Sequence, residues 1–99
     1  MKKLAMVAIV ILAMAGIAGA DSKTEDSYTI ARDPKTSVEV LTQLSKDKDA
    51  EVRYWVARNP NTPAEVLTQL SKDKNVYVRY WVALNSNTPA EVRESLKQN

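Results

Sequence analysis

Apolar residues between positions 28 and 99 follow helical spacings, and the whole pattern then repeats. One set has the spacing i, i+1, i+4 and the next has the spacing i, i+3, i+4, so each set lies on one side of a 3.6-residue helical period. The first set is Val40, Leu41 and Leu44, then Val66, Leu67 and Leu70; the second set is Val52, Trp55 and Val56, then Val78, Trp81 and Val82. The pattern predicts two short amphipathic helices in each repeated block.

The repeated block is 26 residues long. The segments Ile30–Trp55 and Val56–Trp81 are identical at 18 of 26 positions, and Val82–Asn99 matches the start of the second copy at 10 of 18. A fixed period of this size is typical of stacked units that bury their apolar faces only against one another. We therefore expect an all-α fold, a short right-handed α-solenoid of about two and a half 26-residue helix-pair repeats. The repeat domain is predicted over 28–99, with units at 30–55, 56–81 and 82–99. Polar substitutions at both ends lead us to expect a complete short array.

Turn residues set the bounds of the second helix of each repeat. It is predicted over Ala50–Arg58 and Val76–Leu84, with Asp49 or Asn75 as the N-cap. The first of these helices should end at Asn59, because this residue precedes a proline and is disfavoured in the α region. That asparagine is also expected to satisfy backbone groups of the turn.

Each first helix is predicted to begin with a capping box. In this motif a threonine hydroxyl and a glutamate three residues later each satisfy one free backbone N–H. The pairs are Thr36 and Glu39, Thr62 and Glu65, and Thr88 and Glu91. Pro63 and Pro89 then fall at the first helical position, which suits proline.

The first 20 residues have the pattern of a secretory signal peptide. Lys2 and Lys3 precede an apolar run, and Ala18-Gly19-Ala20 fits an Ala-x-Ala cleavage site. We expect a signal peptide at 1–20, a flexible lead at 21–27, and an exported protein that is periplasmic or secreted. The alternative is an uncleaved membrane anchor, although the uncharged run that starts at Leu4 is short for a spanning helix.

The charge balance and the composition exclude several classes of function. The chain has 14 Lys and Arg against 12 Asp and Glu, and two of the positive residues, Lys2 and Lys3, lie in the predicted signal peptide. Without those two the charges balance, so we expect no nucleic acid and, after signal cleavage, no membrane as a partner. The absence of Cys and His removes thiol nucleophiles, the commonest general base and the strong zinc ligands. We expect no catalytic residue, no metal and no cofactor.

The string from Val52 to Pro63 and its near copy from Val78 to Pro89 resemble the leucine-rich repeat variant family. The repeat of that family carries a V-R-x-x-V-A-x-N-P-N-T-P core followed by a leucine-bearing helix. The resemblance covers Tyr28 to Asn99. It implies a right-handed superhelix in which an α-helix alternates with a shorter, often 3₁₀, helix, so the second helix of each unit is either α or 3₁₀. It also implies protein interaction without a common catalytic activity, and the iron–sulfur cluster known in the family needs Cys ligands that this chain lacks.

Aromatic and arginine residues that recur at fixed repeat positions are the candidate binding residues. They are Tyr28, Tyr54, Tyr80, Trp55, Trp81, Arg53 and Arg79. Stacked units would align the rings in a strip suited to a peptide or a sugar chain, but the tryptophans are alternatively part of the core. The two arginines either form a recognition stripe or pair with Asp47 and Asp73 to fix the angle between repeats, and we favour the second interpretation.

These features predict a non-catalytic exported repeat protein that binds another protein through the stacked inner face of its second helices. Two alternatives stay open. One is a structural protein that acts by self-association as a homo-oligomer, and the other is a glycan-binding module. The residues do not identify the partner.

Overall fold

The structure is a computed structural model that describes residues 27–98. Within this range the chain forms six helices and no strand. They are α1 (residues 27–32), α2 (Val38–Leu44), α3 (Ala50–Arg58), α4 (Ala64–Leu70), α5 (Val76–Leu84) and α6 (Ala90–Lys97). The predicted signal peptide, and the predicted lead up to residue 26, lie outside the described residues.

The helices pack as a short stack. Helix α3 lies against α5, α2 and α4 contact α3, and α4 and α6 contact α5. The buried apolar core is aliphatic throughout; it consists of Ala31, Leu41, Leu44, Val52, Val56, Ala57, Val66, Leu67, Leu70, Val78 and Val82. Each fully buried Val or Leu side chain contributes about 1.5–3 kcal/mol of transfer free energy, so neighbouring repeats hold each other together through these contacts. The predicted all-helical repeat fold is confirmed and fits a short solenoid, while its right-handed sense stays a prediction.

The second helices, α3 and α5, begin and end where the sequence predicts. Both are α-helices of nine residues, so the 3₁₀ alternative is wrong for them. The Asp49 carboxylate accepts a hydrogen bond from the backbone N of Glu51 at 2.9 Å, and the Asn75 side chain accepts one from the backbone N of Tyr77 at 2.8 Å. Both N-caps are therefore confirmed.

No helix among residues 27–98 is long and apolar enough to cross a bilayer.

The predicted capping boxes are wrong in the role that they give to the threonines. The N-cap of α4 is Pro63, one residue later than expected, and it makes no side-chain capping bond. The N-cap of α2 is Ser37, whose hydroxyl accepts from the backbone N of Val40. The buried hydroxyl of Thr62 instead donates to the Val56 carbonyl at 2.7 Å. This carbonyl lies in the last turn of α3, where carbonyls have no partner within the helix, so the threonine closes the preceding helix and does not open the next one.

The equivalent threonines of the other turns make the same bond. Thr36 donates to the Ile30 carbonyl and Thr88 donates to the Val82 carbonyl, both at 2.6 Å. Pro89 is the N-cap of α6, again one residue later than predicted and without a side-chain capping bond. The turn that leads from a second helix to the first helix of the next unit thus has the same threonine hydrogen bond at three places in the chain.

Buried asparagines join one turn to the next. The Asn85 side-chain amide donates to the carbonyls of Ala57 and Asn59, at 2.8 and 3.0 Å. Asn59 makes the same pair of bonds one repeat earlier, to Ala31 and Asp33, at 2.7 and 2.8 Å. The expected role of Asn59 in satisfying turn backbone is confirmed, and the carbonyls belong to the neighbouring repeat. These bonds fix the distance between successive second helices on which the surface described next depends.

Candidate functional site

One face of the second helices carries a continuous group of aromatic and arginine side chains. Val52 and Val56 of α3 are buried. The helical period therefore places Tyr54 and Arg58 on the other side of α3, and Trp55 lies at the boundary between that side and the core. We call the group the aromatic strip; it consists of Arg32 from α1, Tyr54, Trp55 and Arg58 from α3, and Tyr80 and Trp81 from α5.

The rings of the aromatic strip contact one another edge to face. Tyr54 lies 5.2 Å from Trp55 at an interplanar angle of 87°, and Tyr80 lies 5.5 Å from Trp81 at the same angle. Tyr54 also reaches across to Trp81, 6.2 Å away at 84°, and so joins α3 to α5. Edge-to-face pairs at these distances are the favoured arrangement of aromatic quadrupoles, worth about 0.5–1.5 kcal/mol each beyond burial.

Two guanidinium groups alternate with the two indoles along the strip. The Arg58 guanidinium carbon lies 4.2 Å from the ring centroid of Trp81 and 4.9 Å from that of Trp55. It is therefore held between the two rings, and its Nη1 donates to the Tyr54 hydroxyl at 3.2 Å. Arg32 lies over Trp55 at 5.2 Å from its centroid. The order along the strip is Arg32, Trp55, Arg58, Trp81, which is a series of cation–π contacts.

The tryptophans belong partly to the core and partly to the surface. Trp55 and Trp81 are half-buried and pack against the aliphatic core. The side chains around them are more accessible, since Tyr80 is 57% exposed and both arginines of the strip are exposed. The sequence left open whether the tryptophans belong to the core or to the surface, and the structure shows that they contribute to both.

Arg53 does not lie on the strip. It is buried, with 7% exposure, and its Nε and Nη2 donate to the two carboxylate oxygens of Asp73 at 2.7 and 3.1 Å. Its Nη1 donates to the Asp47 carbonyl at 2.8 Å. Because Arg53 and Asp73 come from successive repeats, this bidentate pair holds the repeats at a fixed angle, as the favoured interpretation predicts for Arg53. The interpretation is wrong for Arg79 and Asp47, which form no arginine–carboxylate pair within residues 27–98.

The ion pair perturbs both of its members. The hydrogen bond to Asp73 raises the pKa of the Arg53 guanidinium. Burial by itself would raise the pKa of the Asp73 carboxyl, but hydrogen bonds from Arg53 and from the Asn75 backbone bring it below the ordinary value of 3.8. Both groups are therefore charged at neutral pH.

Arg79 and Tyr28 also have structural contacts away from the ring cluster. The half-buried Arg79 donates through Nη1 to the Asp73 carbonyl at 2.7 Å, which is the same bond that Arg53 makes to Asp47. The Tyr28 hydroxyl donates to the Asp49 carboxylate at 2.7 Å. The structure thus brings together Tyr54, Tyr80, Trp55 and Trp81, and separates them from the other candidate residues. A binding role for any of the candidates stays a prediction.

A groove of about 360 Å³ borders the strip between α3 and α5. It is lined by Ala50, Glu51, Tyr54, Trp55, Asn75 and Tyr77. Its walls combine aromatic rings with one carboxylate and one amide. The groove extends the accessible surface of the strip towards the N-terminal ends of both helices.

The exposed side of α5 is more apolar than the matching side of α3. Val76, Tyr77 and Leu84 stand where the preceding repeat has an alanine, a glutamate and an arginine. They are 57%, 66% and 54% exposed. Together with Tyr80 they form the α5 patch, whose four members lie within about 100° of each other around the helix. A surface of exposed large apolar residues beside an aromatic cluster is typical of an interaction site.

Sequence reasoning missed the two arginines of the strip. Arg58 follows Trp55 by three residues, a spacing that places the two side chains side by side on a helix. Arg32 occupies the same repeat position one unit earlier. That spacing and its recurrence in the next unit could have identified the two arginines.

Within residues 27–98 no cluster of three or more carboxylate side chains is arranged to hold a metal ion.

Stacked helix pairs, a turn repeated three times and an exposed aromatic strip define a helical repeat protein. The family model described as leucine rich repeat variant matches residues 50–75, which span α3, the turn after it and α4. The resemblance to this family is confirmed over residues 50–75. Similarity to a repeat of this family suggests a module for protein interaction. Comparison with curated proteins and with solved structures finds no significant match.

Proposed function

We propose that this protein is an exported, non-catalytic module that binds another protein through the aromatic strip and the α5 patch. The observation that carries the proposal is the position of Arg58, which is exposed to solvent and held between two tryptophan rings. A side chain fixed in this way loses little conformational entropy on binding. Tyrosine, tryptophan and arginine are also the residues most enriched at the energetic centres of protein interfaces.

The strip suits a protein better than a sugar chain. A sugar ring stacks on an open aromatic face, and both Arg32 and Arg58 lie over Trp55. Arg58 also lies over Trp81. What the strip offers instead is guanidinium donors, ring edges and the apolar side chains of α5, which fit polypeptide better.

The capture experiment compares three tagged forms of the full chain, each purified as the cell processes it. They are the natural sequence, the double variant Tyr80→Ala/Leu84→Ala, and the control Val38→Ala. Val38 is 43% exposed on α2 and does not belong to the strip or to the patch, so it controls for the loss of an exposed apolar side chain. Circular dichroism checks that all three are equally helical.

Two results are decisive. We expect one foreign protein to be retained by the natural sequence and by Val38→Ala and to be lost from Tyr80→Ala/Leu84→Ala. Retention of the chain's own copies alone, by all three forms, would contradict the proposal and would favour self-association.

Export is tested separately by cell fractionation and by the mass of the purified chain. The expected product lies in the periplasm or the medium and starts at Asp21, after the Ala-x-Ala site. A product that keeps residues 1–20 and sediments with membranes would contradict cleavage and support an anchor.

A further inference from the structure

We infer that the partner presents an acidic, extended segment, with carboxylates that lie on Arg32 and Arg58 and with an apolar side chain that packs on the α5 patch. This inference rests on the proposed function and specifies the chemistry of the partner. It follows from the charges that the strip leaves unpaired and from their position beside an apolar surface.

The two guanidinium groups lie on the same indole ring, which limits the distance between them. Their carbons lie 5.2 and 4.9 Å from the same ring centroid, that of Trp55. The two carbons are therefore no more than about 10 Å apart, whatever the angle between them. In an extended chain, residues i and i+2 lie about 6.6 Å apart on the same side. Acidic side chains are flexible, so two of them at that spacing can reach two guanidinium groups whose separation is within this limit.

Neither arginine has a carboxylate partner among residues 27–98. The ion pairs of this range are those of Arg53 with Asp73 and of Lys97 with Glu94. Arg58 uses one donor for the Tyr54 hydroxyl, and a guanidinium has five. A pre-positioned guanidinium fork with unused donors matches a carboxylate closely, and such charge-assisted bonds are about twice as strong as neutral ones.

The strip also has a direction from cationic to apolar. Glu51, the acidic residue on this side of α3, is seven residues from Arg58, or about 10.5 Å along the helix axis. On α5 the same two repeat positions hold Tyr77 and Leu84, so the charged residues of α3 are replaced by uncharged ones on α5. A partner that matches both helices carries acidic residues where it meets α3 and an apolar side chain where it meets α5.

A second copy of this chain matches the surface less well. The α5 patch consists of four side chains of one nine-residue helix. A symmetric dimer through this patch alone would bury less than the about 800 Å² per partner of a stable interface, whereas an extended segment also covers the aromatic strip. Arg32 and Arg58 of two facing strips would also repel each other.

The test uses tryptophan fluorescence, which reports on the strip directly. The chain has two tryptophans, and both belong to the strip. The full chain is titrated with three synthetic polymers: a random copolymer of Glu and Tyr, poly-Glu, and a random copolymer of Lys and Tyr. Excitation at the red edge of tryptophan absorption excludes the tyrosines of the polymers. We expect the Glu/Tyr polymer to bind most tightly, at least about tenfold more tightly than the Lys/Tyr polymer, and to weaken as salt is added.

Matched variants locate the binding. Arg58→Gln and, independently, Arg32→Gln should each weaken binding of the Glu/Tyr polymer about tenfold, as expected for loss of a charge-assisted contact. Lys72→Gln removes the same charge from an exposed residue outside the strip and should change the affinity less than about twofold. Leu84→Ala should weaken the Glu/Tyr polymer and leave poly-Glu unchanged.

The outcomes separate the inference from the proposed function. Binding of the Glu/Tyr polymer with the expected loss in both arginine variants supports the inference. Equal losses in Arg58→Gln and Lys72→Gln overturn it, because attraction is then not specific to the strip. Tighter binding of the Lys/Tyr polymer than of the Glu/Tyr polymer also overturns the inference. If Tyr80→Ala/Leu84→Ala then loses the Lys/Tyr polymer, the surface still binds polypeptide and the proposed function stands. The capture experiment does not depend on the partner's charge, so the proposed function fails only there.

Discussion

The Nε of Arg93 donates a hydrogen bond to the Ala83 carbonyl at 3.1 Å. Its Nη2 donates to two further carbonyls, those of Asn85 and Thr88, at 3.0 and 3.1 Å. Ala83 and Asn85 stand one repeat after the two residues whose carbonyls accept from the Asn85 amide. In the preceding repeat these carbonyls accept hydrogen bonds from the asparagine of the next repeat. Here the Arg93 guanidinium of α6 takes the place of that asparagine, so Arg93 completes the polar network at this end of the described stack.

Removal of the Arg93 side chain is therefore expected to destabilise the stack. We predict that Arg93→Leu, which introduces the residue of the preceding repeat at this position, lowers the free energy of unfolding by about 2 kcal/mol. Hydrogen bonds from a charged donor contribute about 1.5–3 kcal/mol, and a buried carbonyl without a partner adds a desolvation cost. Urea unfolding followed by circular dichroism measures the change.

The control for Arg93 is a second cation of α6. Lys97 pairs with Glu94 at 3.2 Å, and their side chains are 66% and 67% exposed. Exposed pairs of this kind contribute about 0–1 kcal/mol, so Lys97→Ala should change the free energy of unfolding by less than about 0.5 kcal/mol. Equal effects of the two substitutions would show that Arg93 acts through net charge and not through the three carbonyls.

The ion pair between Arg53 and Asp73 should be the largest single polar contribution between repeats. Arg53→Ala or Asp73→Ala leaves a buried charge without its partner and is expected to cost about 3–5 kcal/mol. The double variant should cost clearly less than the sum. Arg79→Ala is the matched control, because within residues 27–98 Arg79 makes the equivalent backbone bond without a carboxylate partner. Its cost should be nearer about 1 kcal/mol. A cost of Arg79→Ala as large as that of Arg53→Ala would contradict this assignment.

The same pair predicts how stability depends on acid. The folded state holds the pKa of Asp73 below its ordinary value of 3.8, so the carboxylate binds a proton less readily than in the unfolded chain. Its stabilising contribution is complete above pH 3.8 and is lost as the pH falls through the lower, folded pKa. Asp73→Asn removes this part of the acid dependence. Urea midpoints of the two proteins measured from neutral pH downwards should converge, and parallel curves would contradict the prediction.

How much of this could be read from the sequence depends on how local each signal is. The bounds of α3 follow from the Asp49 cap and from the proline after Asn59, which act on adjacent backbone, so the prediction was confirmed. Thr62 was misassigned because its hydroxyl can reach either the following helix or the Val56 carbonyl six residues back. The geometry of the chain reversal selects the second partner. The contact of Arg58 with a tryptophan of the next repeat depends on the distance between helices, which the periodicity does not specify.

Tyr28 should ionise unusually late. The hydrogen bond that it donates to Asp49, then burial and the negative charge of that carboxylate, raise the pKa of the Tyr28 phenol to about 12. The neutral phenol is therefore favoured in the folded state. Its contribution to stability is complete below pH 10 and is lost as the pH rises towards about 12.

An ultraviolet titration of tyrosinate tests this assignment. Tyr28→Phe should remove an absorbance step near pH 12. Asp49→Asn removes the charge and keeps a residue that is equally good as an N-cap of α3, so the step should move to lower pH in a protein that stays folded. A step that is unchanged in Asp49→Asn would mean that another contact raises the pKa.

The aromatic strip itself should attract anions even without a partner. Arg58 lies within 5 Å of both indole centroids, at 4.2 and 4.9 Å, so the local potential at both tryptophans is positive. We predict that iodide quenches the tryptophan fluorescence more efficiently in the natural sequence than in Arg58→Gln, by roughly twofold at constant ionic strength. Acrylamide is neutral and should quench the variant equally or more strongly, because the guanidinium no longer covers the rings. Lys72→Gln should leave both quenching constants unchanged. If iodide and acrylamide quenching changed by the same factor in Arg58→Gln, the arginine would act as a steric cover alone, and the strip would have no electrostatic preference for an acidic ligand.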